Sequence, residues 1–159
     1  MQNQVNILPP AAEPGALATT EASALRNVVP QCRAAADVNC GGFVFVTSAP
    51  EGTDAGLQEQ FVAASGSEVA GFVYRVQDAA LPFNSGASLA YASGRTVPVA
   101  NQGSFYCKIV NGGTVGQKVL ADVTNGSANA GDSATSSLLD TGFTLKTAVS
   151  SGGIAIIGK

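Results

Sequence analysis

The apolar positions of this chain fall mainly into short runs with a period of two, bounded by glycine, asparagine and serine. In "VAGFVYRV" (69–76), Phe72, Tyr74 and Val76 alternate with Val73 and Arg75. "SFYCKIV" (104–110) sets Phe105, Cys107 and Ile109 on one side, with Tyr106, Lys108 and Val110 on the other. "GGFVFVTS" (41–48) is a β-branched and aromatic run. "TGFTLKTAV" (141–149) and "GGIAIIG" (152–158) close the series, the latter placing Ile154 and Ile156 against Ala155 and Ile157. In "ASLAYASGRTVPVANQG" (87–103), Leu89 and Tyr91 precede a glycine turn, and Val97 and Val99 flank Pro98 as on an edge strand. Only "DAGLQEQFVAA" (54–64) has helical spacing, through Leu57 and Phe61, enough for a single turn in a long loop.

Many short strands separated by turn residues predict an all-β fold, a single antiparallel β-sandwich or jelly-roll-like barrel. The expected core is Phe43, Phe45, Phe72, Tyr74, Phe105, Ile109, Val119, Phe143, Leu145, Ile154 and Ile156.

"NGGTVGQKVLADVTNG" (111–126) superficially resembles a phosphate-binding loop. That loop needs Lys next to Ser or Thr and a following helix, whose first amides face the anion. Here Gln117 separates Gly116 from Lys118, Val119 stands where a hydroxyl belongs, and a period of two follows. Asn125-Gly126 then ends the run with a strong turn signal. The stretch is a strand between turns.

The first 40 residues differ. "MQNQVNILPPAAEPGALATTEASALRNVVP" contains Pro9, Pro10, Pro14 and Pro30 and only isolated apolar side chains. Paired prolines keep the backbone extended, and a short helix over 16–26 is disfavoured by Thr19-Thr20 and a narrow apolar face. Residues 1–40 are expected to be an extended N-terminal arm and 41–159 the β-core. Val5, Ile7, Leu8, Leu17, Val28 and Val29 are the arm's candidate anchors for a partner.

Composition narrows the function. With 159 residues, one domain is the natural count. Charged residues make up only 12%, about half the usual share, which suggests that a partner covers part of the surface. A net charge of −3 and eight scattered basic residues argue against a sequence-independent grip on nucleic acid. No apolar run approaches the ~20 residues that span a bilayer, so no membrane partner is expected. Three cysteines and no visible export signal suggest reduced thiols packed as small apolar groups. Asn125-Gly126-Ser127 then serves as a turn and not as a glycan acceptor.

Without histidine, a Ser-His-Asp triad, a Cys-His pair and a His-ligated zinc site are impossible. Asp54, Asp78, Asp122, Asp132 and Asp140 sit beside Gly, Asn, Ser or Thr, where Asp ordinarily makes turns. No enzyme activity, cofactor or structural metal is expected.

The order "GGFVFV", a long polar insertion, "VAGFVYRV", "SGRTVPVANQGSFYCKIVNGGTVGQKVLADVTNG" and "DTGFTLKTAVSSGGIAIIGK" resembles the head-decoration, or structural cement, proteins of tailed bacteriophages. The resemblance covers about residues 41–159 and rests on glycine-spaced strands. It implies a non-enzymatic virion protein, made in the bacterial host cytoplasm, that coats the outside of an expanded head. Its partner would be the phage major capsid protein, held at subunit junctions against the pressure of packaged DNA. A homo-oligomer is expected, a dimer ahead of a trimer, because an arm-exchanging sandwich closes with one isologous interface. The competing class is a host-surface or carbohydrate-binding module of a phage particle. Such modules commonly stack sugars on exposed aromatics, often Trp, and this chain has none.

Overall fold

The computed structural model describes residues 13–18, 25–28, 31–48, 59–76 and 90–159. Among them the chain makes strands and no helix. First come β1 (Arg26–Asn27), β2 (Gln31–Ala34), β3 (Val38–Asn39) and β4 (Phe43–Thr47). β5 (Glu59–Ala63), β6 (Val69–Val73), β7 (Ala90–Tyr91), β8 (Thr96–Val97) and β9 (Val99–Gln102) follow. The remaining strands are β10 (Ser104–Lys108), β11 (Lys118–Asp122), β12 (Ala128–Gly131), β13 (Leu138–Leu145) and β14 (Ile154–Gly158).

They build a seven-stranded sheet, β1-β9-β6-β4-β5-β2-β8, a five-stranded sheet, β10-β14-β13-β11-β12, and the small pair β3-β7. Pairing is antiparallel except for β2 beside β5, which run parallel. The predicted all-β class is observed, in sheets dominated by antiparallel pairing. Pro98, which cannot donate to a ladder, separates β8, one edge of the seven-stranded sheet, from β9, which lies inside β1 near the other edge, so Val97 stands on an edge strand as expected and Val99 does not.

The main core lies between the two large sheets. Phe43, Phe45, Phe72 and Tyr74 from the first sheet meet Phe105, Cys107, Ile109, Val119, Phe143 and Leu145 from the second. The rings form a connected cluster: Phe43 meets Phe72 edge-on at 5.2 Å, Phe72 meets Phe105 at 5.0 Å, and Tyr74 stacks on Phe105 at 5.8 Å. Each such pair adds ~0.5–1.5 kcal/mol beyond the area it buries. The opposite face of the seven-stranded sheet carries a second core, with Cys32, Ala34, Val38, Val44, Val62, Val73, Val97 and Val99. β4 is therefore buried on both sides, which explains why its sequence is a continuous apolar run instead of an alternation.

Four expectations are corrected. Ile154 is exposed and Ile156 half-buried, while Ala155 and Ile157 face the main core. Register decides this: β10 pairs Phe105 with Ile157 and Cys107 with Ala155, and directly opposite residues share a face. Phe61 stands on β5 and not on a helical turn, because that segment pairs with β2 on one side and β4 on the other. The folded body also starts before Gly41. β2 and β3 lie within the sheets, and Cys32, Ala34 and Val38 are buried in the second core. Nor does all of the proline-rich region extend away from the body, since residues 15–18 lie along β10.

Candidate functional site

The N-terminal segment 13–18 runs as a strap along β10, the edge of the five-stranded sheet. Gly15 N–H donates to the Tyr106 carbonyl at 2.8 Å, Tyr106 N–H to Ala16 at 2.9 Å, and Ala18 N–H to Ser104 at 2.9 Å. Leu17 stands opposite Phe105. The strap also reaches the other sheet: Arg75 N–H donates to the Gly15 carbonyl at 2.8 Å, and the Arg75 guanidinium pairs with the Glu13 carboxylate. An unpaired edge is an open template for another strand, and this one is covered by the chain itself.

The candidate anchors separate into groups. Leu17 leaves 43% of its surface exposed on the strap. Val28 packs against the second core, and its N–H donates to the Val99 carbonyl at 2.9 Å. Val5, Ile7, Leu8 and Val29 lie outside the described residues, as do Leu57, Leu89, Asp54 and Asp78.

The far edge of the five-stranded sheet is closed in another way. After β10 the chain bends so that Ile109 pairs in parallel with Ala128 on β12, and Val110 N–H donates to the Ala128 carbonyl at 2.9 Å. The sheet thus curls until its two edge strands meet.

At one end the β11–β12 turn joins the two sheets. Thr124 donates its N–H and its hydroxyl to Asp122 Oδ1 at 2.9 and 2.6 Å, and Gly126 N–H donates to the Asp122 carbonyl at 2.8 Å. The predicted Asn125-Gly126 turn, with Asp122 as its organiser, is this turn. Gly126 then accepts from Phe43 N–H at 2.8 Å. Its φ is +69°, and an added Cβ would collide with the Phe43 carbonyl oxygen.

Between the sheets, a cleft of about 490 Å³ is lined by Val69, Asn101, Asp140, Phe143 and Lys159 among others. Lys159 Nζ lies 5.9 Å from the Phe143 ring centre. A hydrogen bond from Lys118, 2.7 Å long, and one from Gly142 N–H hold Asp140 below the usual carboxylate range. Of these residues, Asp140 serves a turn and an ion pair, and Val69 and Phe143 belong to or pack against the main core. Among the described residues no group of three His, Cys, Asp or Glu side chains could hold a metal ion.

Cys32 and Cys107 are buried and Cys40 partly so, and burial raises their thiols to about 11, 12 and 11 respectively. The cysteines behave as small apolar groups. The aromatic rings are similarly engaged: Phe43, Phe45, Phe72, Tyr74, Phe105 and Phe143 are buried. Phe61, Tyr91 and Tyr106 are half-buried. No described helix is long and apolar enough to cross a membrane.

No curated protein matches this sequence. The chain's backbone superposes on a chain of the solved capsid of Myoviridae phage XM1 with a TM-score of 0.63, covering 99% of this chain and 97% of that one at 15% identity. At that identity the likeness is one of fold. The sequence profile of the phage structural cement proteins, described as structural cement protein (E217 gp24/Pam3 gp6), matches residues 1–158. The match spans nearly the whole chain, and the chain belongs to the structural cement protein family of phage capsids.

Proposed function

We propose that this protein decorates the outer surface of an expanded phage head, at junctions between major capsid subunits, and holds the shell against the pressure of packaged DNA. The observation that carries this reading is the family match over residues 1–158. A rigid body with two apolar cores suits the task, because a clamp that must resist shell strain cannot itself yield.

The arm supplies a second contact. Val5, Ile7, Leu8, Leu17, Val28 and Val29 are its apolar positions, with the residues preceding Glu13 reaching the shell and the strap fixing their point of departure. Prolines at 9, 10 and 14 limit the freedom the arm loses on docking. The protein acts as a homo-oligomer, a dimer ahead of a trimer, so that several modest contacts act together and gain avidity. Its partners are the capsid protein and itself. Nucleic acid, membrane and catalysis have no part in the proposed role.

The test is decoration of expanded heads that lack this protein. Added full-length chain should saturate the shells and raise the temperature at which they release DNA. A chain lacking residues 1–12 keeps every described contact, so it should fold normally but bind more weakly. Equal saturation by both would remove the arm from the account, and no binding by either would remove the decoration role.

A further inference from the structure

The basic residues are partitioned by type and by sheet. All four arginines precede Gly103, on or beside strands of the seven-stranded sheet, and all four lysines follow it, on or beside strands of the five-stranded sheet. Eight carboxylates accompany the arginines in sequence, but only Asp122, Asp132 and Asp140 accompany the lysines. The side chains are acidic as a whole, yet those of the last 56 residues carry a surplus of one positive charge.

That surplus has a location. Phe105 and Cys107 face the core, so Ser104, Tyr106 and Lys108 face outward. Across the ladder, Tyr106 lies opposite Ile156 and Lys108 opposite Ile154. Lys146 joins the same face: its N–H donates to the Ile156 carbonyl at 2.8 Å, and its aliphatic stem rests over Gly158. A Cβ on Gly158 would lie 2.8 Å from Lys146 Cε and 3.1 Å from Ser104 Oγ, so glycine is what lets the lysine lie flat there. Val110, 47% exposed, and Ile154, 41% exposed, extend the patch with apolar surface.

The charges on this patch are uncommitted. Lys118 is paired with Asp140, Asp122 binds Thr124, and Asp132 faces Gln117. Neither Lys108 nor Lys146 is in any ion pair among the described residues. The face therefore combines two unpaired ammonium groups with branched aliphatic side chains and a half-buried tyrosine.

We propose that this outer face of the five-stranded sheet, centred on Tyr106, Lys108, Val110, Lys146, Ile154 and Ile156, is the surface that docks on the capsid shell, and that it recognises an acidic shell patch dotted with apolar recesses. The assignment rests on the decoration role and adds which side of the protein meets the shell and through what chemistry. Charge complementarity supports it: the remainder of the chain is net negative and would be repelled by the same patch. Two lysines at a partly apolar site also steer the encounter, so association depends on ionic strength.

The experiment measures binding of the full chain to expanded, undecorated shells at two salt concentrations. It compares the unmodified protein, Lys108→Glu/Lys146→Glu, Lys108→Gln/Lys146→Gln, and Arg95→Glu on the other sheet as a control. Circular dichroism and the free protein's oligomeric state are recorded for each variant. The glutamate pair should lower affinity about tenfold or more, the glutamine pair should lower it less, and both should flatten the salt dependence. Arg95→Glu should bind as the unmodified chain does. Should the glutamate pair fail to fold, the glutamine pair decides. Undiminished binding by the lysine variants would overturn the docking face and leave the decoration role intact. An equal loss in Arg95→Glu would also overturn it, because net charge alone would then govern binding. A change of oligomeric state in the lysine variants would reassign the face to self-association. If the unmodified chain does not bind expanded shells, the decoration role fails and the docking face with it.

Discussion

Asn111 pairs with Ala130 as if it were a length of strand: its Nδ2 donates to the Ala130 carbonyl at 2.8 Å, and its Oδ1 accepts from Ala130 N–H at 2.8 Å. One side chain thus satisfies both backbone groups of a residue on β12, the edge where the five-stranded sheet closes on itself. Asn111→Ala leaves that donor and acceptor without their partner and should cost about 1–3 kcal/mol in urea unfolding. Asn111→Asp can accept but not donate, and it should recover only part of the loss.

Phe105 is completely buried among Phe72, Tyr74 and Phe143. Phe105→Ala should cost ~3–5 kcal/mol. Ile154→Ala, at an exposed position on the opposite face, should change stability by less than ~1 kcal/mol. Denaturant midpoints for the two variants check the register of β10 against β14 directly, because a one-residue slip would reverse the order of the two losses.

Gly126 combines a positive φ with close approach to the Phe43 carbonyl, and either alone would resist a side chain. Gly126→Ala should cost about 2 kcal/mol or more by thermal or denaturant unfolding. Gly116 also has positive φ, at +90°, but nothing lies within 4 Å of an added Cβ. Gly116→Ala should therefore show the smaller, purely conformational loss.

Burial raises the Cys107 thiol to about 12, from an ordinary value of 9.0. Unfolding restores the ordinary value, so the unfolded chain loses this proton at lower pH than the folded one. The stability from burying neutral Cys107 is thus complete below pH 9.0 and is lost as pH rises towards about 12, by up to about 1.4 kcal/mol per pH unit. Cys107→Ala should make the alkaline side of the stability profile less steep, with the raised thiols of Cys32 and Cys40 sustaining the rest of the slope. In the native protein Cys107 should resist thiol reagents at neutral pH, while denaturant should expose it.

The strands were legible where burial is one-sided. "SFYCKIV" alternates cleanly, and its inward set, Phe105, Cys107 and Ile109, is the observed one. Alternation fails as a guide where both residues of a pair are apolar. "GGIAIIG" offers two apolar faces, and only pairing with β10 selects Ala155 and Ile157. The segment before Gly41 misled for a related reason. β2 is four residues long and its burial depends on the non-local partners β5 and β8, which no local pattern announces. The proposed docking face was half visible: the alternation already put Tyr106, Lys108 and Val110 together on one side of the strand. The arrival of Lys146 over Gly158 was not, because it depends on where the 146–153 connection returns to the sheet.

A protein that decorates the shell at subunit junctions is a stoichiometric part of the head. Quantitative mass spectrometry of purified virions, with the major capsid protein as internal reference, measures that proportion. Hundreds of copies per particle are expected, in fixed proportion to the capsid protein. Absence from the virion, or a few dozen copies that co-purify with tails instead of heads, would contradict the decoration role.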